Sequence, residues 1–245
     1  LTADLGIRFD RQLLTDANQI SPRLALALPI GEHTVFRPAW GRYYQSQSPD
    51  ALEIQYDQRN FRPAELATHY ILSAERQLPY NMVFRIEGYY KDLDHVRDRF
   101  EDVQNEIELM PELHADIVRL FPETGSVGGL EFFVKRDAHQ GFNWWASYTL
   151  SQARETHSNR GFFQQTHGQT YPQKRNQRHQ LALDIIYRPS PNWNISAGWQ
   201  YRTGWPHTAL HAVPRQNGGV NFRYLDLYDG QYPAYHRLDI NINRT

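Results

Sequence analysis

The chain has 245 residues, 22% of them charged, and a formal net charge of −1. This length suits one large all-β domain, and the near-zero charge gives no strong field that would indicate nucleic acid as a partner. Cysteine is absent, which excludes a disulfide framework and a thiolate metal site. The sequence has no run of about 18 apolar residues, so we expect no helix that spans a bilayer.

Apolar and polar residues alternate along most of the chain in segments that are about as long as a tilted transmembrane strand. Arg178–Tyr187 is the clearest segment, with Leu183 and Ile185 on one face and Asp184 on the other. A period of two is typical of a β-strand with one apolar and one polar side. The predicted strands, in chain order, are Asp4–Leu13, Pro22–Leu28, His33–Gln45, Leu66–Leu78, Met82–Leu93, Gly125–Arg136, Phe142–Arg154, Arg178–Tyr187, Trp193–Gly204 and Tyr235–Asn243.

Two segments depart from this simple pattern. Pro38 lies inside the third predicted strand, and because proline has no amide hydrogen it predicts an edge or a bulge there. Glu112 to Leu120 has apolar residues at a spacing near 3.6, which predicts a short helix inside a longer loop.

Tight turns alternate with long polar connections. Tight turns are predicted near Gly31, Pro79, Ala138 and Ser190, and polar connections, beginning with residues 15–21, lie between them. In an up-and-down sheet this places all tight turns at one end, as in bacterial outer-membrane barrels. A soluble sandwich or propeller is the alternative, but its strands are commonly shorter, about 5–6 residues. We therefore predict an all-β, antiparallel up-and-down transmembrane β-barrel in the cell outer membrane, in contact with outer-membrane lipid.

The ends of the sequence, Leu1–Gly6 and residues 236–245, both have the pattern of a strand. We therefore expect the chain to be a partial barrel domain over residues 1–245, with about ten strands of a larger barrel. Neighbouring aromatic pairs near strand ends suggest that one ring of each pair anchors at the level of the lipid headgroups. The charged side chains on the polar sides of the strands predict a lumen lining that includes Arg37, Glu87, Glu131, Asp184, Arg237 and Asp239.

Catalytic and cofactor motifs are absent from the sequence. It contains no Gly-rich phosphate loop, nucleophile elbow or zinc-protease motif. His207 and His211 have a spacing that would suit a metal on a helix, but Pro206 and Pro214 argue against a helix there. We expect no enzyme activity, no metal and no cofactor.

Several strings along nearly the whole chain resemble the TonB-dependent outer-membrane receptors. Their order and spacing carry the likeness more than any one of them does. The strings are Phe61-Arg62-Pro63-Ala64-Glu65 before His69-Tyr70, Glu87-Gly88-Tyr89-Tyr90-Lys91, Gly128-Gly129-Leu130-Glu131, Trp145-Ala146-Ser147-Tyr148-Thr149-Leu150-Ser151-Gln152-Ala153, Arg178-His179-Gln180-Leu181, Tyr201-Arg202-Thr203-Gly204-Trp205-Pro206 and Tyr235-His236-Arg237-Leu238-Asp239.

The resemblance implies a 22-stranded barrel, closed by a plug, that imports a scarce ligand with energy from a TonB complex. The sequence has no plug, no TonB box and no terminal aromatic residue, so it resembles only the C-terminal part of that barrel. The imported small molecule would be a siderophore, a cobalamin, a carbohydrate or a similar compound. Candidate ligand contacts are residues at strand ends that lead into long loops: Tyr43, Tyr44, Arg202 and Trp205.

A small self-contained outer-membrane barrel is the alternative reading of the same pattern. It would be an omptin-like protease, a phospholipase or a passive pore. An enzyme of this kind needs catalytic groups clustered at one rim, and the sequence shows no convincing Ser/His or Asp/His set.

Overall fold

The computed structural model describes residues 1–52, 54–102, 117–139, 141–158, 170–215, 217–224 and 226–244. No helix in these ranges is both long enough and apolar enough to cross a membrane. Ten long strands form the main sheet: β1 Thr2–Gln12, β2 Ala17–Ile30, β3 Thr34–Gln45, β4 Glu65–Leu78, β5 Met82–Asp94, β8 Pro122–His139, β9 Phe142–His157, β11 His179–Tyr187, β12 Trp193–Arg202 and β17 Tyr235–Arg244.

Shorter elements lie in the long connections. Two 3-10 turns, Pro49–Ala51 and Ile54–Tyr56, follow β3. The short strands are β6 Arg99–Asp102, β7 Ile117–Leu120, β10 Thr170–Pro172, β13 Pro206–His207, β14 Leu210–Pro214, β15 Val220–Tyr224 and β16 Gly230–Gln231. They form the hairpins β6–β7, β13–β16 and β14–β15, and β10 pairs with β9.

The long strands follow one another in the sheet in chain order, from β1 to β17, and every pair of neighbours is antiparallel. The predicted all-β, up-and-down antiparallel architecture with ten strands is therefore confirmed. No pairing joins β1 to β17 within the described ranges, so the order has two ends.

The strand register places most of the apolar residues of the ten strands on one side of the sheet. Across one row of the ladders, Phe36 pairs with Ala74, Ala74 with Ile86, and Ile86 with Phe132. The row continues to Tyr148, and from there to Leu181 and Tyr201 on the last strands. Because directly paired residues point to the same side, these rows form one continuous surface, which we call the apolar face. The opposite side is the polar face.

The two ends of the sheet differ as the sequence predicted. At one end, connections of two to five residues follow β2, β4, β8 and β11, which confirms the four tight turns. The long connections between the other ends of the strands span residues 46–64, 95–121, 158–178 and 203–234, and their described parts lie at that end. One expectation is wrong: the polar connection at residues 15–21 is shorter than predicted. β2 begins at Ala17, because residues 17–21 pair with residues 8–12 of β1.

The two irregular segments have different outcomes. The ladder between β2 and β3 is interrupted between Ala25–Ala39 and Leu28–Phe36, opposite Pro38, whereas the ladder to β4 continues through Pro38. The gap fits the missing amide hydrogen, but the predicted edge or bulge is wrong, because β3 lies between β2 and β4 and its register is the same on both sides of the gap. The predicted helix is wrong for Ile117–Leu120, which is strand β7 paired with β6. The rest of that predicted helix lies outside the described residues.

The buried apolar cluster of the described chain lies in the loops, not on the sheet. Leu120, Tyr171, Leu227 and Tyr228 form it, with Val118 against them. By contrast, Leu72 on the interior strand β4 is 51% exposed. The apolar face is therefore not covered by a second layer of the described chain.

Candidate functional site

A cavity of about 690 Å³ opens on the polar face where β12 and β17 reach the long loops. We call it the rim pocket. Ten residues line it: Gln177, Gln200, Arg202, Thr203, Gly204, Trp205, Tyr232, Pro233, Tyr235 and Arg237. Its volume is that of a site for a small molecule.

The register of two strands builds the wall of the rim pocket. Arg202 pairs with Tyr235, and Gln200 pairs with Arg237, so all four side chains project from the polar face. Residues 203–205 and 232–233 of the long loop form the rest of the wall. A backbone hydrogen bond from Tyr232 N to Trp205 O, at 2.9 Å, joins these two segments.

Glycine is needed at position 204 for the two loop walls to approach each other. A Cβ atom on Gly204 would lie 1.8 Å from the carbonyl oxygen of Tyr232. The Gly204 carbonyl also accepts a hydrogen bond from the Gln231 amide at 3.1 Å. The close approach thus fixes Trp205 and Tyr232 on either side of the pocket mouth.

The charge in the rim pocket is unevenly compensated. Arg237 is paired with Asp239, at 2.7 Å between Nε and Oδ2. Arg202 instead donates to the side-chain carbonyl of Gln200 at 3.3 Å, and it has no carboxylate partner among the described residues. An arginine without a carboxylate, beside exposed Trp205 and Tyr235, can bind an anionic group and support a flat ring.

The four predicted ligand residues do not lie together. Arg202 and Trp205 both line the rim pocket, but five strands of the sheet separate them from Tyr43 and Tyr44 on β3. Because successive residues of a strand point to opposite sides, the two tyrosines also lie on different faces. Tyr43 lies on the polar face, with its ring centroid 4.6 Å from that of His69.

No known protein-family model and no curated protein matches this chain.

Tyr44 lies on the apolar face, where its hydroxyl accepts a hydrogen bond from Arg42 at 3.3 Å.

The register places all six predicted lumen residues on the polar face. Arg37, Glu87 and Glu131 belong to one row that continues to Arg202 through Ser73, Thr149 and Gln180. Asp184 and Asp239 both pair with Gly198, in a second row of the polar face that lies nearer the tight turns. Arg237 pairs with Gln200, in the row between these two.

Above the sheet, three of the long loops are joined into one unit that sequence reasoning missed. We call it the loop cap: Arg99, Glu101, Glu155, Tyr228 and the buried apolar cluster. The Arg99 guanidinium binds both Glu155 and Glu101, with one bond to Glu155 Oε2 at 2.9 Å. Tyr228 donates to the same Glu101 carboxylate. No local motif could have indicated these contacts, because the partners lie far apart in the chain.

The ion pairs of the loop cap are buried, and their pKa values reflect it. A span of about ten residues from Phe142 ends near Ser151, so Glu155 lies beyond it. Burial would raise the pKa of Glu155, but the hydrogen bonds and charge of Arg99, with His157 Nε2 at 3.6 Å from Oε1, lower it to about 2. Burial, reinforced by the Glu101 charge, raises the pKa of Tyr228.

A second buried carboxylate anchors the other side of the loop cap. Asp98 accepts from Arg119 at 2.8 Å and from Arg62 at 3.1 Å. Burial would raise the pKa of Asp98, yet these two guanidinium groups outweigh it and hold the pKa below its usual value. The carboxylates of Asp98, Glu101 and Glu155 each accept from a guanidinium, so these ion pairs are suited to fixing loop position and not to proton transfer.

The described residues include no group of three or more His, Asp or Glu side chains that could hold a metal ion. His207 lies in β13 with its ring stacked on Tyr232 at 4.5 Å. His211 lies in β14 and contacts Asp229 at 2.5 Å. The two histidines thus have separate polar and aromatic neighbours.

Proposed function

We propose that this chain is part of the wall of an outer-membrane β-barrel receptor that takes up a scarce small ligand in a TonB-dependent manner. In this proposal the apolar face contacts lipid and the polar face encloses water. The loop end faces the cell exterior, as long loops do in such barrels. The TonB complex would act through a plug that belongs to the barrel but not to the described strands.

The continuous, half-exposed apolar face supports this proposal most directly. Backbone groups in hydrocarbon must be paired within the protein, and a sheet of antiparallel neighbours meets that need along its ladders. Aromatic residues also lie near both margins of the face. Towards the loop end, the ring centroids of Tyr70 and Tyr90 lie 6.5 Å apart. At the turn end, those of Phe142 and Tyr187 lie 6.3 Å apart.

The rim pocket supports the receptor part of the proposal. It lies at the loop end and on the polar face, which is where a barrel receptor would first meet its ligand. Arg202 and three aromatic residues suit an anionic compound with a ring, a chemistry that many chelates and conjugated sugars share.

Two measurements on the intact protein test the proposal. The first is cell fractionation with a folding assay. We expect the protein in the outer-membrane fraction, and we expect it to fold only when an amphiphile is present. The second measures uptake of candidate chelates and sugars by cells with and without a working TonB complex. We expect uptake only by the cells with a working complex. A protein that is folded and monodisperse in plain buffer, or uptake that is equal with and without a working TonB complex, would contradict the proposal.

A further inference from the structure

A second cavity, of about 320 Å³, lies on the apolar face at its loop-side margin. We call it the lipid groove. Its lining residues are Tyr90, Ser126, Gly128, Gly129, Leu130, Leu150, Ser151, Gln152, Arg154 and Arg178. It does not share a residue with the rim pocket.

The register shows that the lipid groove belongs to the apolar face. Tyr90 pairs with Gly128, and Gly128 pairs with Gln152. Leu130 pairs with Leu150. Glycine at position 128 leaves space, because a Cβ atom there would come no closer than 3.4 Å to the Tyr90 ring and 3.6 Å to backbone. A depression therefore runs along the strands where neighbouring positions carry large side chains.

The chemistry of the lipid groove changes along its length. Its inner part is apolar, with Leu130 and Leu150. Its outer part carries Arg154, two residues beyond Gln152 on the same face, and Arg178, which precedes β11. Both arginines are exposed, and neither forms an ion pair with a carboxylate of the described chain.

Arg154 is held in place by a neutral partner. With the side-chain amide of Gln152 in its better orientation, the Gln152 oxygen accepts from Arg154 Nε and Nη2, both at 2.9 Å. This contact orients the guanidinium without neutralising it. A guanidinium oriented in this way, in a groove that Arg178 also lines, suits the geometry and charge of a phosphate group.

We infer that the lipid groove binds a phosphate-bearing lipid of the outer leaflet, with an acyl chain beside Leu130 and Leu150 and the phosphate on Arg154 and Arg178. Charge complementarity selects this occupant, because an uncharged lipid would leave two cations at the margin without a counter-ion. The inference rests on the membrane-facing part of the proposed function, and it adds a site that is separate from ligand uptake.

The test uses the intact protein in a mild detergent and native mass spectrometry. Lipid A, which carries phosphate, is offered beside its dephosphorylated form, and inorganic phosphate is offered in a separate sample. We expect retention of lipid A only, and we expect Arg154→Gln with Arg178→Gln to weaken it by on the order of tenfold or more, as for lost charge-assisted hydrogen bonds. Arg188→Gln is the matched control, since Arg188 lies at the turn end and contacts Asn194.

Gly128→Leu gives an independent variant that keeps every charge. It fills the lipid groove with an apolar side chain that the membrane tolerates, so it should lower lipid A retention while the protein stays folded. Equal retention of both lipids, equal retention of free phosphate, or full retention by the double arginine variant would overturn the inference. If no lipid of any kind is retained and the protein folds in plain buffer, the proposed function and this inference both fail.

Discussion

Tyr228 donates a hydrogen bond to the Glu101 carboxylate and so joins two loops that lie 127 residues apart in the chain. Arg99 extends this contact to Glu155 at the end of β9. Two long loops and the end of β9 are thereby connected at one end of the sheet. A cap with buried ion pairs restricts loop motion, because opening it would leave charged groups in a poorly solvated place.

Tyr228→Phe is expected to loosen two loops at once. The change removes the hydroxyl that Glu101 accepts from and keeps the ring in the apolar cluster, so the local opening free energy should fall by about 1.5–3 kcal/mol. Hydrogen exchange of the intact protein measures this as faster exchange in both β6 and residues 226–229. Tyr80→Phe at an exposed turn is the control. Faster exchange in only one of the two loops would contradict a shared contact.

Acid should open the loop cap in a defined range. The pKa of Glu155 is lowered from about 4.5 to about 2. A lowered carboxyl pKa stabilises the folded state above the unfolded value, so this contribution of about 3 kcal/mol is present above pH 4.5 and is lost as the pH falls towards 2. Hydrogen exchange or limited proteolysis across that range measures it.

Glu155→Gln is the matched variant for the acid experiment. It leaves the Arg99 guanidinium without its main partner, so the loop cap should already be more open at neutral pH. It should also lose the part of the acid response that comes from Glu155. An acid transition of the same size in both proteins would show that other carboxyl groups cause it.

Much of the sheet could be predicted from the sequence, and the reasons are local. Strand faces follow from a period of two, so Leu183 and Asp184 could be assigned to opposite sides without any knowledge of their partners. The turn at residues 79–81 could be predicted because Pro79 and Asn81 favour it, and Tyr80 and Asn81 both have positive φ.

The loop cap and half of the candidate site could not be predicted in this way. Arg99 and Glu155 are 56 residues apart, and neither stands in a pattern that marks it. β7 has only four residues, too few to distinguish a period of two from one of 3.6, and its pairing with β6 decided its structure. Tyr232 lines the rim pocket because the loop returns over Gly204, which depends on tertiary contacts.

The two faces of β11 should respond differently to the same added charge. Leu183 is the fifth of nine residues in β11 and lies on the apolar face. In a bilayer, Leu183→Arg should cost about 2–4 kcal/mol of folding free energy, as for arginine at the midplane. Ala182→Arg is the control, since Ala182 pairs with Gln200 and Ser147 on the polar face. Urea titration in lipid vesicles measures both, and equal costs would contradict the assignment of the faces.

Ligand binding should depend on the residues of the rim pocket and not on all four strand-end candidates. Arg202→Gln removes a charge with no carboxylate partner in the described chain, so an anionic ligand should lose about 1.5–3 kcal/mol of binding free energy. Trp205→Ala should weaken binding through lost ring contact. Tyr44→Phe is the control, because Tyr44 lies on the apolar face with Arg42. Uptake kinetics and direct binding measure these changes. An effect of Tyr44→Phe as large as that of Arg202→Gln would show that the ligand site is not on the polar face.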